Sequence, residues 1–216
     1  EIFTVTVSDS LLIDSQIFMV TVNAVNDAPV LSSIGDREIN EDSILNILLS
    51  AEDIDGDPLT YSITESNFIE TILDGTELTF IPQNNYNGSE SFTLIVSDGD
   101  LEDSETFTLT VSAINDAPVL ASVLDIDFDE DTSEIINFSA SDVDGDSLEF
   151  SISAGIDIIA SLSDNTVTFS ASADFNGSES FTITVSDGDL LDEQTFTVTG
   201  NAVNDPPIAT AGLTGT

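Results

Sequence analysis

The sequence predicts an all-β fold in which antiparallel β-sandwich domains of 89 residues follow one another along the chain. The first observation is a repeat: residues 26–30 (NDAPV) return at 115–119 and, altered to NDPPI, at 204–208, a step of 89 residues each time. The second is a period-two alternation of polar and apolar residues in several short segments. The third is that no segment keeps a helical period. An unbroken repeat without insertions indicates tandem copies of one small domain.

The repeat also sets the predicted domain boundaries. Residues 1–25 correspond to the C-terminal part of a preceding copy, 26–114 and 115–203 are two complete copies, and 204–216 begin a following copy. Residue 1 lies within the pattern, with no Met and no basic leader segment, so we expect the chain to be an excerpt of a longer protein.

Each copy contains about seven predicted strands joined by tight turns, as expected for a Greek-key sandwich. In the first complete copy the clearest strands are predicted at 44–50, 59–64, 77–81, 91–97 and 104–112, with turns at 55–57, 74–75, 87–88 and 98–99. The predicted core aromatics are Phe80, Phe92 and Phe107, with their copies Phe169, Phe181 and Phe196. The Thr-rich outer faces are explained by strand propensity, with a sugar-binding or ice-binding face as the alternative.

Composition restricts the partners. The chain has 42 acidic residues, one basic residue and no His, which gives a formal net charge of −41. Such a charge repels nucleic acid and anionic membrane surfaces and attracts cations. No Cys is present, so disulfides and thiolate metal sites are excluded, and hard oxygen ligands point to calcium. The apolar runs are too short for membrane insertion.

A recurring acidic loop is the candidate metal-binding element. It reads Asp-x-Asp-Gly-Asp at 53–57 and again at 142–146, and its Gly permits a tight turn. Calcium takes six to eight oxygen ligands, so one short loop leaves the shell incomplete. The other candidates are the acidic pair near the start of each copy, the Asn-Gly-Ser-Glu and Ser-Asp-Gly turns, and the Asn-Asp before the linker Pro. Asp57 and Asp146 are assigned as turn formers.

These motifs carry a family resemblance. Residues 51–57 (AEDIDGD), followed by LTYSI at 59–63, are similar to the DxD segment of cadherin repeats, and 25–30 (VNDAPV) resemble the cadherin DxNDNxP linker. Residues 92–99 (FTLIVSDG) are similar to the strand and acidic turn that follow the LDRE motif. With the NYNGSE stretch, the chain resembles the bacterial cadherin-like tandem repeats of large surface or secreted adhesins. The resemblance implies Ig-like or cadherin-like sandwiches.

The resemblance also implies calcium ions clamped between successive domains. The predicted ligands at the joint between the complete copies are Glu41, Glu90, Asn115, Asp116, Asp142, Asp144 and Asp187. Those at the preceding joint are Asn26, Asp27, Asp53, Asp55 and Asp98. Those at the last joint are Glu130, Glu179, Asn204 and Asp205.

Two departures from the family pattern lower the expected number of ions. The first Asp of the linker motif is replaced by Ala24 and Ala113, in a linker one residue shorter. LDRE itself is absent in that form. One or two ions per joint are therefore expected.

The function expected from this pattern is structural. Calcium would stiffen short Pro-containing linkers, so the chain would extend a bacterial cell-surface or secreted adhesin and support adhesion. The alternative is a calcium-dependent binding module for polysaccharide or for another copy of the chain, which could assemble into a fibre. Acidic surface charge without metal, as in adaptation to high salt, is a further alternative, but it does not require the acids to recur at identical loop positions. An enzyme is not expected, because the acids recur in every copy and no His, Cys or Lys is present.

Overall fold

The computed structural model describes residues 1–207 of the chain, which divides into two units, Glu1–Ala113 and Ile114–Thr216. Every regular element within the described residues is a β-strand. In this part of the chain there is no helix long and apolar enough to cross a membrane. The predicted all-β class is confirmed. The predicted start of a following copy, 204–216, lies mostly outside the described residues.

The first unit begins with a hairpin of β1 (Ile2–Ser8) and β2 (Ile13–Met19), in which Phe3 pairs with Phe18. These residues lie 89 positions before the paired Phe92 and Phe107, so the hairpin repeats the last two strands of the following repeat. The other strands of this unit are β3 (Val30–Leu31), β4 (Arg37–Asn40), β5 (Leu45–Leu48), β6 (Ala51–Glu52), β7 (Thr60–Ile63), β8 (Ile69–Asp74), β9 (Glu77–Pro82), β10 (Gly88–Ser97) and β11 (Glu102–Ser112).

The second unit repeats the nine strands from β3 to β11 in the same order. They are β12 (Val119–Leu120), β13 (Ile126–Asp129), β14 (Ser133–Asn137), β15 (Ala140–Ser141), β16 (Glu149–Ile152), β17 (Ile158–Ser163), β18 (Thr166–Ala171), β19 (Gly177–Ser186) and β20 (Leu191–Asn201). The predicted count of about seven holds if β3 with β4 and β5 with β6 are each taken as one interrupted strand.

Two main sheets form the sandwich of each repeat. In the first they have the strand orders β4-β11-β10-β7 and β5-β9-β8, with the short pair β3-β6 beside them. The second repeat has the orders β13-β20-β19-β16 and β14-β18-β17, with the pair β12-β15. The sandwich is confirmed.

One pairing in each repeat departs from the predicted antiparallel pattern. β4 runs parallel to β11, and β13 runs parallel to β20. The first strand of the sandwich is interrupted. Its first part, β3, pairs with β6. After Gly35, which lies at φ +64°, the chain continues as β4 beside β11 in the four-stranded sheet. The Glu105 carboxylate accepts the amide protons of Ile34 and Gly35 at this crossing, which holds the chain where the strand is interrupted.

The core of each repeat is built around the predicted aromatics. Phe80 and Phe92 are fully buried, and their rings meet edge to face with centroids 4.9 Å apart. Phe169 and Phe181 repeat this contact at 5.3 Å. Their burial follows from strand alternation, since the residues at every second position of β9, β10 and β11 face inward. Each fully buried Phe contributes about 1.5–3 kcal/mol relative to an exposed one.

The predicted turn at 87–88 lies slightly earlier in the structure. Gly88 already belongs to β10, and the turn precedes it, where the amide of Tyr86 donates to the carbonyl of Gln83. The Tyr86 ring lies over Gly88, and a Cβ at that position would come within 2.9 Å of the phenol oxygen. The positive φ of Gly88, +150°, and the covering ring both favour glycine here, within the strand rather than in a hairpin turn.

Candidate metal centres

The acidic loop of the first repeat folds around a single carboxylate oxygen. Asp53 Oδ1 accepts backbone amides from Asp55 at 2.9 Å, Gly56 at 2.9 Å and Asp57 at 3.2 Å. Gly56 lies at φ +80°, a conformation that glycine adopts without steric cost. The loop brings one oxygen from each of Asp53, Asp55 and Asp57 within 4.8 Å of the others. Asp57, assigned from sequence as a turn former, thus joins the predicted ligands.

The other oxygen of Asp53 indicates that this cluster suits a cation. Asp53 Oδ2 is buried, and no described residue donates a hydrogen bond to it. Asp142 Oδ2, 89 residues later, has the same environment. Leaving an anionic oxygen buried without a donor is costly, and a bound cation removes that cost. The oxygen-only donor set fits a hard cation such as calcium.

The linker that precedes the first repeat is held to the same loop. The amide of Asp27 donates to Asp55 Oδ2 at 2.8 Å, and the Asn26 side chain donates to Asp98 Oδ2 at 2.8 Å. The backbone amides of Leu101 and Asp100, together with Asn26, lower the pKa of Asp98, so this carboxylate stays ionised. The five ligands predicted for this end of the repeat are thus brought together in one unit.

The second repeat has the same arrangement. The amide of Asp116 donates to Asp144 Oδ2 at 2.8 Å, and Asn115 donates to Asp187 Oδ2 at 2.9 Å. Asp142, Asp144 and Asp146 again present oxygens within 4.8 Å of one another. The backbone amide of Leu190 and the side chain of Asn115 lower the pKa of Asp187. The repeat of these contacts shows that the sequence motif specifies the geometry.

A second type of acidic cluster lies at the other end of the second repeat. Asp131, Asp174 and Asp205 present oxygens within 4.8 Å of one another. Partial desolvation, followed by the charges of Asp174, Asp131 and Glu130, raises the pKa of Asp205. The nearby carboxylates thus add to the effect of desolvation on this group.

Glu130 connects this cluster to the end of its repeat. It is 4% exposed, and its Oε1 accepts the amide of Val203 at 2.6 Å. Its own amide donates to the carbonyl of Asn201, as the amide of Glu41 donates to Ser112 in the first unit. Glu41 is likewise 4% exposed. Both predicted glutamates therefore lie at the point where a repeat passes into its linker.

Glu90 and Glu179 make contacts outside these clusters. Glu90 accepts a hydrogen bond from the Tyr86 hydroxyl at 3.1 Å. Glu179 accepts the amides of Ile156 and Asp157, each at 2.8 Å. Burial raises the pKa of Glu179, and the amides of residues 156–158 outweigh that effect and lower it. Their role as calcium ligands stays a prediction without a supporting contact.

Asp174 was missed by sequence reasoning, and Asp131 was considered only as part of the acidic pair near the start of its copy and was not among the predicted ligands. Asp131 belongs to the Glu-Asp pair that recurs at 41–42, which was a usable signal. Asp174 replaces Asn85 of the first repeat, so no recurrence of the acid pointed to it. Both residues adopt positive φ, 58° and 56°, as Asp42 and Asn85 do at 57°. Asn204 lies beside Asp205 and donates from its side chain to the carbonyl of Asp205 at 3.3 Å.

Comparison with known proteins identifies the class to which these sandwiches belong. The Bacterial Ig domain family matches residues 26–112 and 115–199. The chain therefore belongs to the bacterial Ig domain family.

Chitinase A of Pseudoalteromonas piscicida is 31% identical over 178 residues, which are 81% of this chain and 22% of that protein. This chain thus spans about a fifth of that relative. The solved EC1-4 repeats of PcdhgB3 superpose with a TM-score of 0.55 at 17% identity, over 94% of this chain and 57% of that one. Human protocadherin-24 EC1-2 has a TM-score of 0.50 at 18% identity, over 83% of this chain and 100% of that one. At these identities the two structures support the fold alone, which is cadherin-like as well as Ig-like.

Proposed function

We propose that this chain is a calcium-stiffened extender segment of a bacterial secreted or cell-surface protein, holding an adhesive or catalytic domain at a distance from the rest of that protein. The observation that carries the proposal is the buried, donor-less Oδ2 of Asp53 and Asp142. Each lies in a loop whose neighbouring aspartate accepts the amide of the linker. A cation at this loop would stabilise the linker attachment and the repeat together.

Contacts to a linker are seen at both ends of a repeat, although for two different linkers. On the side of the repeat that follows, Asn26 and Asp27 are bonded to Asp98 and Asp55. On the side of the repeat that precedes, Glu130 accepts the amide of Val203. Linker flexibility is further reduced by Pro29 and Pro118, because proline fixes φ.

The residues that would hold the ion are those of the three acidic clusters. They are Asp53, Asp55 and Asp57; Asp142, Asp144 and Asp146; and Asp131, Asp174 and Asp205. Bound calcium would supply the positive charge that these mutually repelling carboxylates lack in a chain with a net charge of −41. Without it, repulsion opposes the compact arrangement.

The relative named chitinase supports an accessory role beside a larger protein. The matching region is 22% of that protein, so most of its length lies outside the part shared with this chain. We propose that this chain is a non-catalytic extender of a secreted polysaccharide-degrading enzyme or of an adhesin, located outside the cell. Its partners would be calcium ions and the neighbouring repeats of the same chain.

Thermal unfolding of the full chain tests the proposal in calcium, in magnesium and in chelator, at matched ionic strength. Calcium at about 100 times its Kd would add about 2.7 kcal/mol, so the Tm should rise by roughly 10 °C. The double variant Asp53→Asn with Asp142→Asn should lose this rise. Identical melting in all three conditions would refute the proposal.

The matched control is Asp103→Asn with Asp192→Asn. These carboxylates also accept backbone amides, from Leu31 and Leu120, but they lie outside the acidic clusters. The control should melt lower than wild type in every condition yet keep the full calcium response. Small-angle scattering would then show whether calcium increases the radius of gyration, as a stiffened chain requires.

A further inference from the structure

Strand β17 of the second repeat is an open edge of its sheet. It ends the order β14-β18-β17, and within the described residues no strand pairs with its other side. A short loop joins β17 to β18, so that Ser163 and Thr166 face each other as the closing, hydrogen-bonded pair. Bonded and non-bonded pairs alternate along antiparallel strands, and the backbone groups of Ala160 and Leu162 therefore point away from β18.

The preceding position on this edge is already occupied. The amide of Ile158 interacts with Glu179, and Gly155 lies against the carbonyl oxygen of Ile158. No described residue makes a hydrogen bond to the outward groups of Ala160 or Leu162. These two residues are thus the part of the edge to which another strand can add.

Charged side chains commonly protect a strand edge, and β17 has none. It reads IIASLS, whereas its counterpart β8 reads IETILD and contains Glu70 and Asp74. The other edge strands of the main sheets in the second repeat, β13, β14 and β16, each contain an acid. In the first repeat β5 and β7 are also uncharged, but each has only four residues. β17 further exposes 58% of Ile159.

We propose that β17 pairs with β17 of a second copy of this chain, antiparallel about a two-fold axis at Ser161. In this register Ala160 of each copy lies opposite Leu162 of the other, so both residues use their outward backbone groups. An axis at Ala160 or at Leu162 would instead place one of these two residues opposite Ile158 or the loop at Asp164. The two-fold axis closes the assembly as a dimer and joins the three-stranded sheets of the two copies.

The charge pattern favours a second copy as the occupant of this edge. In the proposed register no acid faces an acid: the opposed pairs are Ala160 with Leu162, Ile159 with Ser163, Ile158 with Asp164, and Asp157 with Asn165. The equivalent register of β8 would place Glu70 opposite Asp74 on both sides of the axis. Like charges directly opposite one another destabilise a strand pair. The pairing is therefore open to the second repeat and closed to the first.

The dimer is independent of the proposed extender function, because β17 contains no residue of the acidic clusters. Its pairing needs no metal ion. Each copy carries a net charge of −41, so salt should strengthen the dimer by screening the repulsion between the two chains.

Sedimentation velocity of the full chain tests the proposal in chelator and about 1 M NaCl, where the Debye length is about 3 Å. Wild type should pass from monomer to dimer between micromolar and millimolar concentration. Ile159→Glu with Ser163→Asp gives β17 the acids of β8 and should raise the dimer Kd by about tenfold. The matched control, Ile135→Glu with Asn137→Asp, adds the same charge to β14 at the other edge of this sheet and should dimerise as wild type does.

Cysteine substitution tests the register, since the chain has no Cys. Ser161 and its copy would form a non-hydrogen-bonded pair on the axis with Cα atoms about 4.5 Å apart, a separation that a disulfide spans. With oxidised glutathione, Ser161→Cys should form a disulfide-linked dimer about tenfold faster than Ser163→Cys, which lies on the same strand and face.

Four results would overturn the proposal: a wild type that stays monomeric at millimolar concentration, assemblies that grow beyond a dimer, an unchanged Kd in the folded β17 variant, or equal cross-linking of the two cysteine variants. If the β17 variant does not fold, the comparison of the cysteine variants decides alone. Because the dimer is measured in chelator and the extender test measures calcium-dependent melting, the two proposals can fail separately.

Discussion

The amide of Asp27 donates a hydrogen bond of 2.8 Å to the carboxylate of Asp55, across 28 residues of sequence. The same bond, with the same length, joins Asp116 to Asp144 in the next repeat. It connects the linker to the loop that also contains a buried carboxylate oxygen without a donor. Linker attachment and candidate cation binding are thus two properties of one loop.

Removing the acceptor of this bond should release the linker. In Asp144→Ala the amide of Asp116 loses its acceptor, and its hydrogen exchange should accelerate by about tenfold, corresponding to one net hydrogen bond. Amide exchange followed by NMR in chelator measures this. The amide of Asp27, whose acceptor is intact, is the internal control. Equal exchange of both amides would show that the bond contributes nothing to holding the linker.

The loop before β17 should not tolerate a side chain at Gly155. A Cβ there would lie 2.0 Å from the carbonyl oxygen of Ile158 and 2.5 Å from Glu179 Oε2. We expect Gly155→Ala to lower the free energy of unfolding by about 2–4 kcal/mol, measured by urea denaturation.

The natural comparison is Ser66, at the equivalent position of the first repeat. Its hydroxyl accepts the amides of Phe68 and Ile69, the role that Glu179 fills in the second repeat. Ser66→Ala should cost only about 1 kcal/mol. A larger loss in Ser66→Ala than in Gly155→Ala would contradict this account of the loop.

The hydrogen bonds that Glu105 accepts from the amides of Ile34 and Gly35 should stabilise the first repeat less at acidic pH. The backbone amides of Ile34 and Gly35 lower its pKa below the unfolded value of 4.5, with smaller contributions from Ser33 and Arg37. A depressed folded pKa means that the stabilisation is complete above the unfolded pKa and is lost as the pH falls through the folded one. The Tm advantage of wild type over Glu105→Gln should therefore shrink below pH 4.5.

The second repeat supplies the control, because Gln194 occupies the equivalent position and accepts the amide of Val123 at 2.9 Å. Gln194→Glu should add acid sensitivity below pH 4.5 to this repeat. Thermal unfolding from pH 6 to pH 3.5 in chelator measures both variants. A Glu105→Gln variant whose deficit is constant over this range would contradict the prediction.

Glu130 should both hold the end of the second repeat and contribute to the raised pKa of Asp205. Glu130→Ala leaves the Val203 amide without its 2.6 Å acceptor, and we expect a loss of about 1–3 kcal/mol in chelator. The same change removes one of the charges that raise the pKa of Asp205, so that pKa should fall. NMR titration of the Asp205 carboxyl carbon measures the shift.

Asp131→Ala separates these two effects. Asp131 also raises the pKa of Asp205, yet its only backbone contact among the described residues is with the amide of Asp174 at 3.5 Å. It should lower the pKa of Asp205 with little loss of stability. An unchanged pKa in both variants would mean that desolvation alone causes the shift.

Sequence reasoning predicted the sandwich and most of the acidic clusters because both depend on local patterns that repeat. Alternation assigned Phe92 and Phe107 to the core, and the structure places both there. The Asp-x-Asp-Gly-Asp loop was predictable because its geometry comes from hydrogen bonds within five residues. Asp174 was not predictable, since its partners Asp131 and Asp205 lie 43 and 31 residues away and its counterpart is Asn85.

The sequence by itself determined the repeat, the strand alternation and the oxygen-only chemistry of the candidate metal sites, because each follows from residue type and short spacing. Only the tertiary structure decided that β4 runs parallel to β11, that Glu179 turns to the loop at 155–157, and that the Asp53 Oδ2 atom is buried without a donor. Such features depend on where distant segments meet once the core closes, and period and composition do not specify those contacts.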